Sequence, residues 1–139
     1  MEPQLRQRKI TITRTLPDQP VIIMGDRVRV EQVIINLLRN AIDATNAVPD
    51  ATIDILLAAG ETAVLTVRDN GEGIGDFKNL FEPFYTTKQP GDGVGLGLAI
   101  SSGIVNDLGG RLVARNAPDG GAVFEMQLPI LADETRAAE

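Results

Sequence analysis

Residues 30–45, VEQVIINLLRNAIDAT, constrain the fold more than any other stretch of the chain. Val30, Val33, Ile34, Leu37, Leu38 and Ala41 recur at helical spacing and form one apolar stripe, which must be buried against a second layer. Gly25-Asp26 opens this helix with Asp26 as its N-cap, and the helix is predicted to run to about residue 48, where Pro49-Asp50 stops it. The segments around it supply a sheet. Residues 9–15 (KITITRT) alternate as a strand does, and 20–24 (PVIIM) read as a short buried strand. Residues 52–58 and 62–68 are β-rich and joined by Ala59-Gly60-Glu61, the pattern of a hairpin. A short helix is predicted around 77–81 and a second long helix around 95–108, which Gly109-Gly110 close with a left-handed cap. Strands at 111–116 and 122–129 follow, joined by the turn Ala117-Pro118-Asp119-Gly120-Gly121. Helices and strands are interspersed without strict alternation, and there is no internal repeat or interdomain linker. The expected fold is an α/β (α+β) two-layer sandwich, a mixed, largely antiparallel sheet of about five strands packed against about three helices.

The 139 residues fit one domain with its own core. No apolar run approaches the roughly 20 residues of a membrane helix, and the start MEPQLRQRKI has no signal-peptide stretch. The absence of cysteine excludes a disulfide frame or thiolate metal site, and is compatible with a reducing, cytoplasmic setting. A net charge of −6 with no basic cluster argues against a nucleic-acid surface. A small anion remains possible, because backbone amides and a metal ion hold phosphate without many basic side chains. The chain has no histidine, which excludes Ser-His-Asp catalysis, His-ligated zinc and imidazole acid–base chemistry.

Three stretches carry candidate chemistry. On the long helix Asn36 and Asn40 lie roughly 40° apart, with Asp43 on the same face, at the edge of the apolar stripe. Amides there need polar partners. They are either solvated asparagines or, through a neutral amide oxygen, ligands suited to Mg²⁺. Asp69-Asn70-Gly71-Glu72-Gly73-Ile74-Gly75 follows a strand. One turn needs fewer glycines than three in alternation, so something approaches the backbone closely. Asp69 at a strand end can accept from an exocyclic amine such as that of adenine, with Ile74 packing on the ring. Residues 91–100 (GDGVGLGLAI) run from a glycine-rich loop into a helix, a phosphate cradle at the positive end of a helix dipole. Neither the P-loop nor the dinucleotide GxGxxG occurs in full. Residues 85–95 form the longest irregular polar stretch, a candidate mobile loop, and its Lys88 is either a solvated lysine or a cation for phosphates.

Taken in order, these pieces resemble the histidine-kinase catalytic domain of the superfamily shared with gyrase-type topoisomerases, heat-shock chaperone ATPases and MutL-type repair proteins. NLLRNAIDAT matches its asparagine motif, DNGEGI its first glycine box, FEPFYTT its phenylalanine box and GVGLGLAI its second glycine box. LGGRLVARNAPDGGAVFEMQLP looks like the closing hairpin. The resemblance covers about residues 20–130. Its closest pattern is that of nitrogen-regulation and dicarboxylate-transport sensor kinases.

The resemblance implies ATP and Mg²⁺ as cofactors, with Asn40 on the metal and Asn36 helping to organise transfer. Asp69 then reads the adenine amino group, and Gly71 and Gly73 let the nucleotide approach. Gly93, Gly95 and Gly97 flank the phosphates, Phe81 and Phe84 form the phenylalanine box, and 85–94 form a flexible ATP lid. The implied ATP-binding set also takes in Asp43, Ala44, Ile74, Thr86, Thr87, Lys88, Val94, Leu96 and Leu98. Two positions depart from the pattern. Asp43 stands where many relatives carry lysine, and Ala122 where many carry threonine.

The missing histidine makes this chain, on that resemblance, a protein-histidine kinase fragment that does not autophosphorylate alone. Residues 1–9 are then a linker stub from a helical phosphoacceptor domain, 10–131 the ATP-binding domain and 132–139 a disordered tail. The implied partners are the histidine-bearing dimerisation domain of the same protein and a downstream response regulator, without nucleic acid. The fragment is expected to be monomeric, its parent a homodimeric, membrane-anchored sensor with this domain in the cytoplasm. The alternatives are a stand-alone serine kinase of the anti-sigma type, which shares the fold, and a non-catalytic nucleotide-binding module.

Overall fold

The computed structural model describes residues 9–23, 25–75, 80–81 and 97–130. The long helix, α1 (Arg27–Ala44), begins at Asp26, whose Oδ1 accepts from the amides of Val28 and Arg29 at 2.9 and 3.4 Å. That cap satisfies amides the helix itself leaves open. Val33, Leu37 and Ala41 are buried, and Val30, Ile34 and Leu38 pack half-buried beside them, so the apolar stripe is the core face. The helix stops at Ala44, short of the expected 48. Buried Thr45 turns its hydroxyl back to donate to the carbonyls of Ala41 and Ile42, both at 3.0 Å, and a turn follows. A hydroxyl that competes for helix carbonyls favours an end over a further turn.

The strands are β1 (Ile10–Thr15), β2 (Ala51–Ala59), β3 (Thr62–Asp69), β4 (Arg111–Asn116) and β5 (Ala122–Pro129). They form one sheet in the order β1-β2-β3-β5-β4. β1 runs parallel to β2, and every other pairing is antiparallel. The second helix, α2 (Gly97–Asp107), ends as expected: Gly109 takes φ +82°, and the amides of Gly110 and Gly109 donate to Val105 and Asn106. This is the left-handed closure that glycine adopts without Cβ strain.

α1 packs on β3, and α2 on β4 and β5. The core lies between, with Ile53, Leu65, Val67, Phe124 and Met126 rising from the sheet against Val33, Leu37 and Val105. This is the two-layer sandwich with a mixed, largely antiparallel five-stranded sheet. β1 lies beyond the helices' cover, so its alternation buries little: Ile10 is half-buried, whereas Ile12 is 52 % exposed.

Of the strand expected at 20–24, residues 20–23 are described, and they do not form it. Ile23 makes a single bridge to Ile130, one residue past β5. Both sides of β5 are already paired along its length by β3 and β4, so no edge is left for a fuller pairing. Of the short helix expected around 77–81, Leu80 and Phe81 are described; they lie in a turn and pack half-buried against the core. Two helices are present among the described residues. The expected lid (85–94) and tail (132–139), and residues 1–8 of the expected linker stub, lie outside those residues. No helix among them is long and apolar enough to cross a membrane.

Candidate functional site

β3 ends in Asp69, a residue only 2 % exposed. Its Oδ1 accepts from the amide of Gly71 at 2.8 Å and that of Ala122 at 3.3 Å. Burial pushes its pKa above the ordinary value, the two amide donors pull against that shift, and the charge of Glu72 adds to it. Neither donor uses Oδ2, so the corner orients a carboxylate by one oxygen and keeps the other for a different donor.

The loop after Asp69 is wedged between elements distant in sequence. A Cβ on Gly71 would lie 2.2 Å from the carbonyl oxygen of Ala44, at the end of α1. Gly121 has φ +88°, and a Cβ there would lie 1.9 Å from the carbonyl oxygen of Asp69. Gly73, at φ +85°, brings its backbone against Asn116, whose Oδ1 would be 2.9 Å from a Cβ. Close approach to the loop was expected, but the atoms that require Gly71 and Gly73 belong to the chain itself.

Asn116, the last residue of β4, grips this loop with both ends of its amide. Oδ1 accepts from the amide of Ile74 at 2.7 Å and Nδ2 donates to the carbonyl of Ile74 at 3.0 Å. Asn70 does the same on the other side, accepting from the Thr52 amide at 2.9 Å and donating to the Asp50 carbonyl at 3.0 Å. Neither role was foreseen from sequence. The available signal was a polar residue at the end of a strand, which most such residues carry without this function.

Along α1 the asparagines part company. Nδ2 of Asn36 donates to Oγ of the fully buried Ser101 at 3.1 Å and to the carbonyl of Gly97 at 3.4 Å, tying α1 to the first turn of α2. Arg29 and Asp107 pair at 2.9 Å near the other end of α2. Asn40, one turn after Asn36, is half-buried, and its side chain has no hydrogen-bond partner among the described residues. Ala44 is one turn further, against Gly71. Asn36, Asn40 and Ala44 thus share a face spanning about 12 Å at 1.5 Å per residue. Asn40 stands between the start of α2 and the Asp69 loop.

Of the residues expected in the site, the structure gathers Asn36, Asn40, Ala44, Asp69, Gly71, Gly73, Ile74 and Gly97 around this side of α1. Asp43 is half-buried on the same helix, and Leu98 packs half-buried on the core. Phe84, Thr86, Thr87, Lys88, Gly93, Val94, Gly95 and Leu96 lie outside the described residues. No group of three or more acidic, His or Cys side chains among the described residues is placed to hold a metal. A lone amide oxygen at Asn40 still fits Mg²⁺ that arrives with phosphate, since that ion takes few protein ligands and keeps oxygens from phosphate and water.

The profile of the family described as histidine kinase-, DNA gyrase B-, and HSP90-like ATPase matches residues 25–132, and the chain belongs to that family. Among curated relatives, the C4-dicarboxylate transport sensor protein DctB of Rhizobium meliloti is 46% identical over 117 residues, covering 81% of this chain and 18% of its own length. The two-component sensor PprA of Pseudomonas aeruginosa is 39% identical over 136 residues, covering 92% of this chain and 15% of its own length. The chain therefore spans less than a fifth of either relative. The nucleotide-free catalytic domain of histidine kinase ThkA matches with a TM-score of 0.78 and 32% identity, over 92% of this chain and 84% of that one. Full-length ShkA in complex with AMPPNP matches with a TM-score of 0.78 and 27% identity, over 96% of this chain and 28% of that one. The fold and the resemblance to dicarboxylate-transport sensors agree with the expectations from sequence.

Proposed function

We propose that this chain binds Mg·ATP between α1, the Asp69 loop and the start of α2, and serves as the ATP-binding catalytic domain of a sensor histidine kinase. The observation that carries this reading is the Asp69 corner. A carboxylate buried against desolvation and held through Oδ1 by two backbone amides is costly to keep unless its second oxygen has work to do. Oδ2 accepts the adenine amino group, and Ile74 packs on the ring. The Gly97 and Leu98 end of α2 faces the phosphates, where a helix N-terminus favours anions, and the motif resemblance assigns Gly93, Val94, Gly95, Leu96, Thr86, Thr87 and Lys88 to the same nucleotide. The same resemblance assigns Phe84 to nucleotide binding. Ala44 and the adjoining turn of α1 form its back wall, and Asp43 borders it.

Asn40 would hold Mg²⁺ through its amide oxygen, and the bound ion would supply positive charge to the phosphates. Asn36 positions α2 through Ser101. In the intact protein, a histidine of a helical dimerisation domain attacks the γ-phosphorus. A P–N bond forms as the bridging P–O bond breaks, and its electrons leave on ADP. That chemistry rests on positioning and charge stabilisation, so a site without imidazole suffices on the ATP side. The phosphoryl group then passes to a response regulator. The parent protein is read as a homodimeric membrane-anchored sensor with this domain, residues 10–131, on the cytoplasmic side. The sensor names of its relatives favour transfer to histidine over a stand-alone serine kinase.

Two experiments test the reading. Calorimetry should show Mg·ATP binding by the native chain and much weaker binding by Asp69→Asn. Mixing the chain with its cognate histidine-bearing domain and radiolabelled ATP should label that domain; a chain that binds Mg·ATP yet never labels it would mean a nucleotide-binding module without kinase activity.

A further inference from the structure

The closing hairpin does more than complete the sheet. β5 begins at Ala122, whose amide donates to Asp69 Oδ1, and β4 ends at Asn116, whose amide group takes both backbone groups of Ile74. The turn between them thus braces the two residues that would face a purine, one on each side of a loop that carries Gly71 and Gly73. Backbone turns close this bracket tightly: the Ala117 amide donates to Gly121 at 2.9 Å and the Gly120 amide to Ala117 at 3.1 Å. Asp69 is held by backbone and by burial. Ile74 has no such strand around it: its side chain packs half-buried on the core, and its backbone N–H and C=O are both held by one exposed side chain.

We infer that Asn116 is a positioning residue for base selection. Its amide imitates a β-pairing with Ile74, and so sets the height of the apolar platform on which the purine ring lies relative to Asp69 Oδ2. A platform that shifts by a fraction of an ångström moves the amino group off the carboxylate, because hydrogen-bond strength falls steeply with misalignment. Gly73 fits this scheme. Its positive φ and missing Cβ let the loop come close enough for Asn116 to reach past it to Ile74. The inference rests on Asp69 reading the adenine amine, and the experiment separates the two claims.

The measurement compares the affinities of the chain for Mg·ATP and for Mg·ITP, in which a carbonyl replaces the amino group and faces the Asp69 carboxylate. The native chain prefers Mg·ATP. Asn116→Ala should fold with the native circular dichroism spectrum and lose about tenfold of that preference, the scale of one misaligned polar contact. Asn116→Asp keeps an acceptor for the Ile74 amide but sets a carboxylate against the Ile74 carbonyl, and it should lose at least as much preference. A general loosening of the fold would weaken both nucleotides equally and leave their ratio intact. Folded Asn116→Ala and Asn116→Asp chains with the native ratio would overturn the role of Asn116. A native chain without preference would instead overturn the reading of Asp69.

Discussion

The two ends of the polar face of α1 are held in opposite ways. At the Ala44 end, the Asp69 corner is clamped by backbone: amides of Gly71 and Ala122 on one oxygen, and carbonyl oxygens of Ala44 and Asp69 packed where a Cβ on Gly71 or Gly121 would intrude. At the Asn36 end, α2 is held by a side-chain amide reaching a buried hydroxyl at 3.1 Å and a carbonyl at 3.4 Å, with a surface ion pair further along. The first arrangement tolerates almost no displacement. The second can be remade at small cost if α2 shifts. A site that must read a purine and also take up and release phosphates would place its rigid contacts at the base and its soft ones at the phosphates.

The sharpest way to break this contrast is to add a methyl at the rigid end. Gly121→Ala would need to clear a carbonyl 1.9 Å away from a backbone at φ +88°. It should cost about 3 kcal/mol or more, read as a fall in the chemical-denaturation midpoint. An unchanged midpoint would show that the corner gives way easily.

Asp69→Asn tests the corner without dismantling it. The asparagine Oδ1 can still accept from Gly71 and Ala122, but an NH₂ group replaces the second acceptor and opposes the adenine amine. Mg·ATP affinity should fall about 100-fold, roughly 2.7 kcal/mol, in calorimetry. The same variant tests linkage. Because the folded-state pKa of Asp69 is raised, the folded protein holds that proton better than the unfolded chain does. Its contribution to stability is therefore present below the ordinary value of 3.8 and lost as pH rises through the raised folded value. Asp69→Asn should remove that part of the decline and leave the empty domain relatively more stable at neutral pH, as seen in melts from pH 4 to 8.

At the soft end, the two asparagines should separate cleanly. Asn36→Ala removes the link to Ser101 and should destabilise the domain by about 1 kcal/mol. Asn40→Ala should leave the melting curve nearly unmoved while abolishing the magnesium dependence of nucleotide binding. Equal effects on stability would erase the distinction between them. The smallest effect belongs to Arg29→Ala. Its pair with Asp107 is largely solvated, and removing it should cost less than about 0.5 kcal/mol.

Much of this was legible in the chain. The stripe from Val30 to Ala41, the Asp26 cap, the hairpin of β2 and β3, and the Gly109 closure all depend on residues within a turn or two of each other, and local periodicity reports them directly. So did the candidacy of Asn36, Asn40 and Asp69, which the order of the motifs along the chain supplied. The strand expected at 20–24 misled for the same reason: the local pattern is that of a strand, but Ile23 meets the sheet just past β5, which is already paired on both sides.

What the folded arrangement alone decided is what each of those residues touches. Asn36 and Asn40 are indistinguishable by type and nearly so by angle, yet Ser101, 65 positions away, claims one and not the other. Gly71 and Gly73 read as openings for a ligand, and it is Ala44 and Asn116 that fill them. Asn116 itself carried no distinguishing mark, since its partner Ile74 lies 42 positions earlier. Local sequence sets the dihedral angles and the buried face because those depend on neighbours. Pairings across the sheet and between helices depend on how the layers stack, and only the assembled layers bring those atoms within reach.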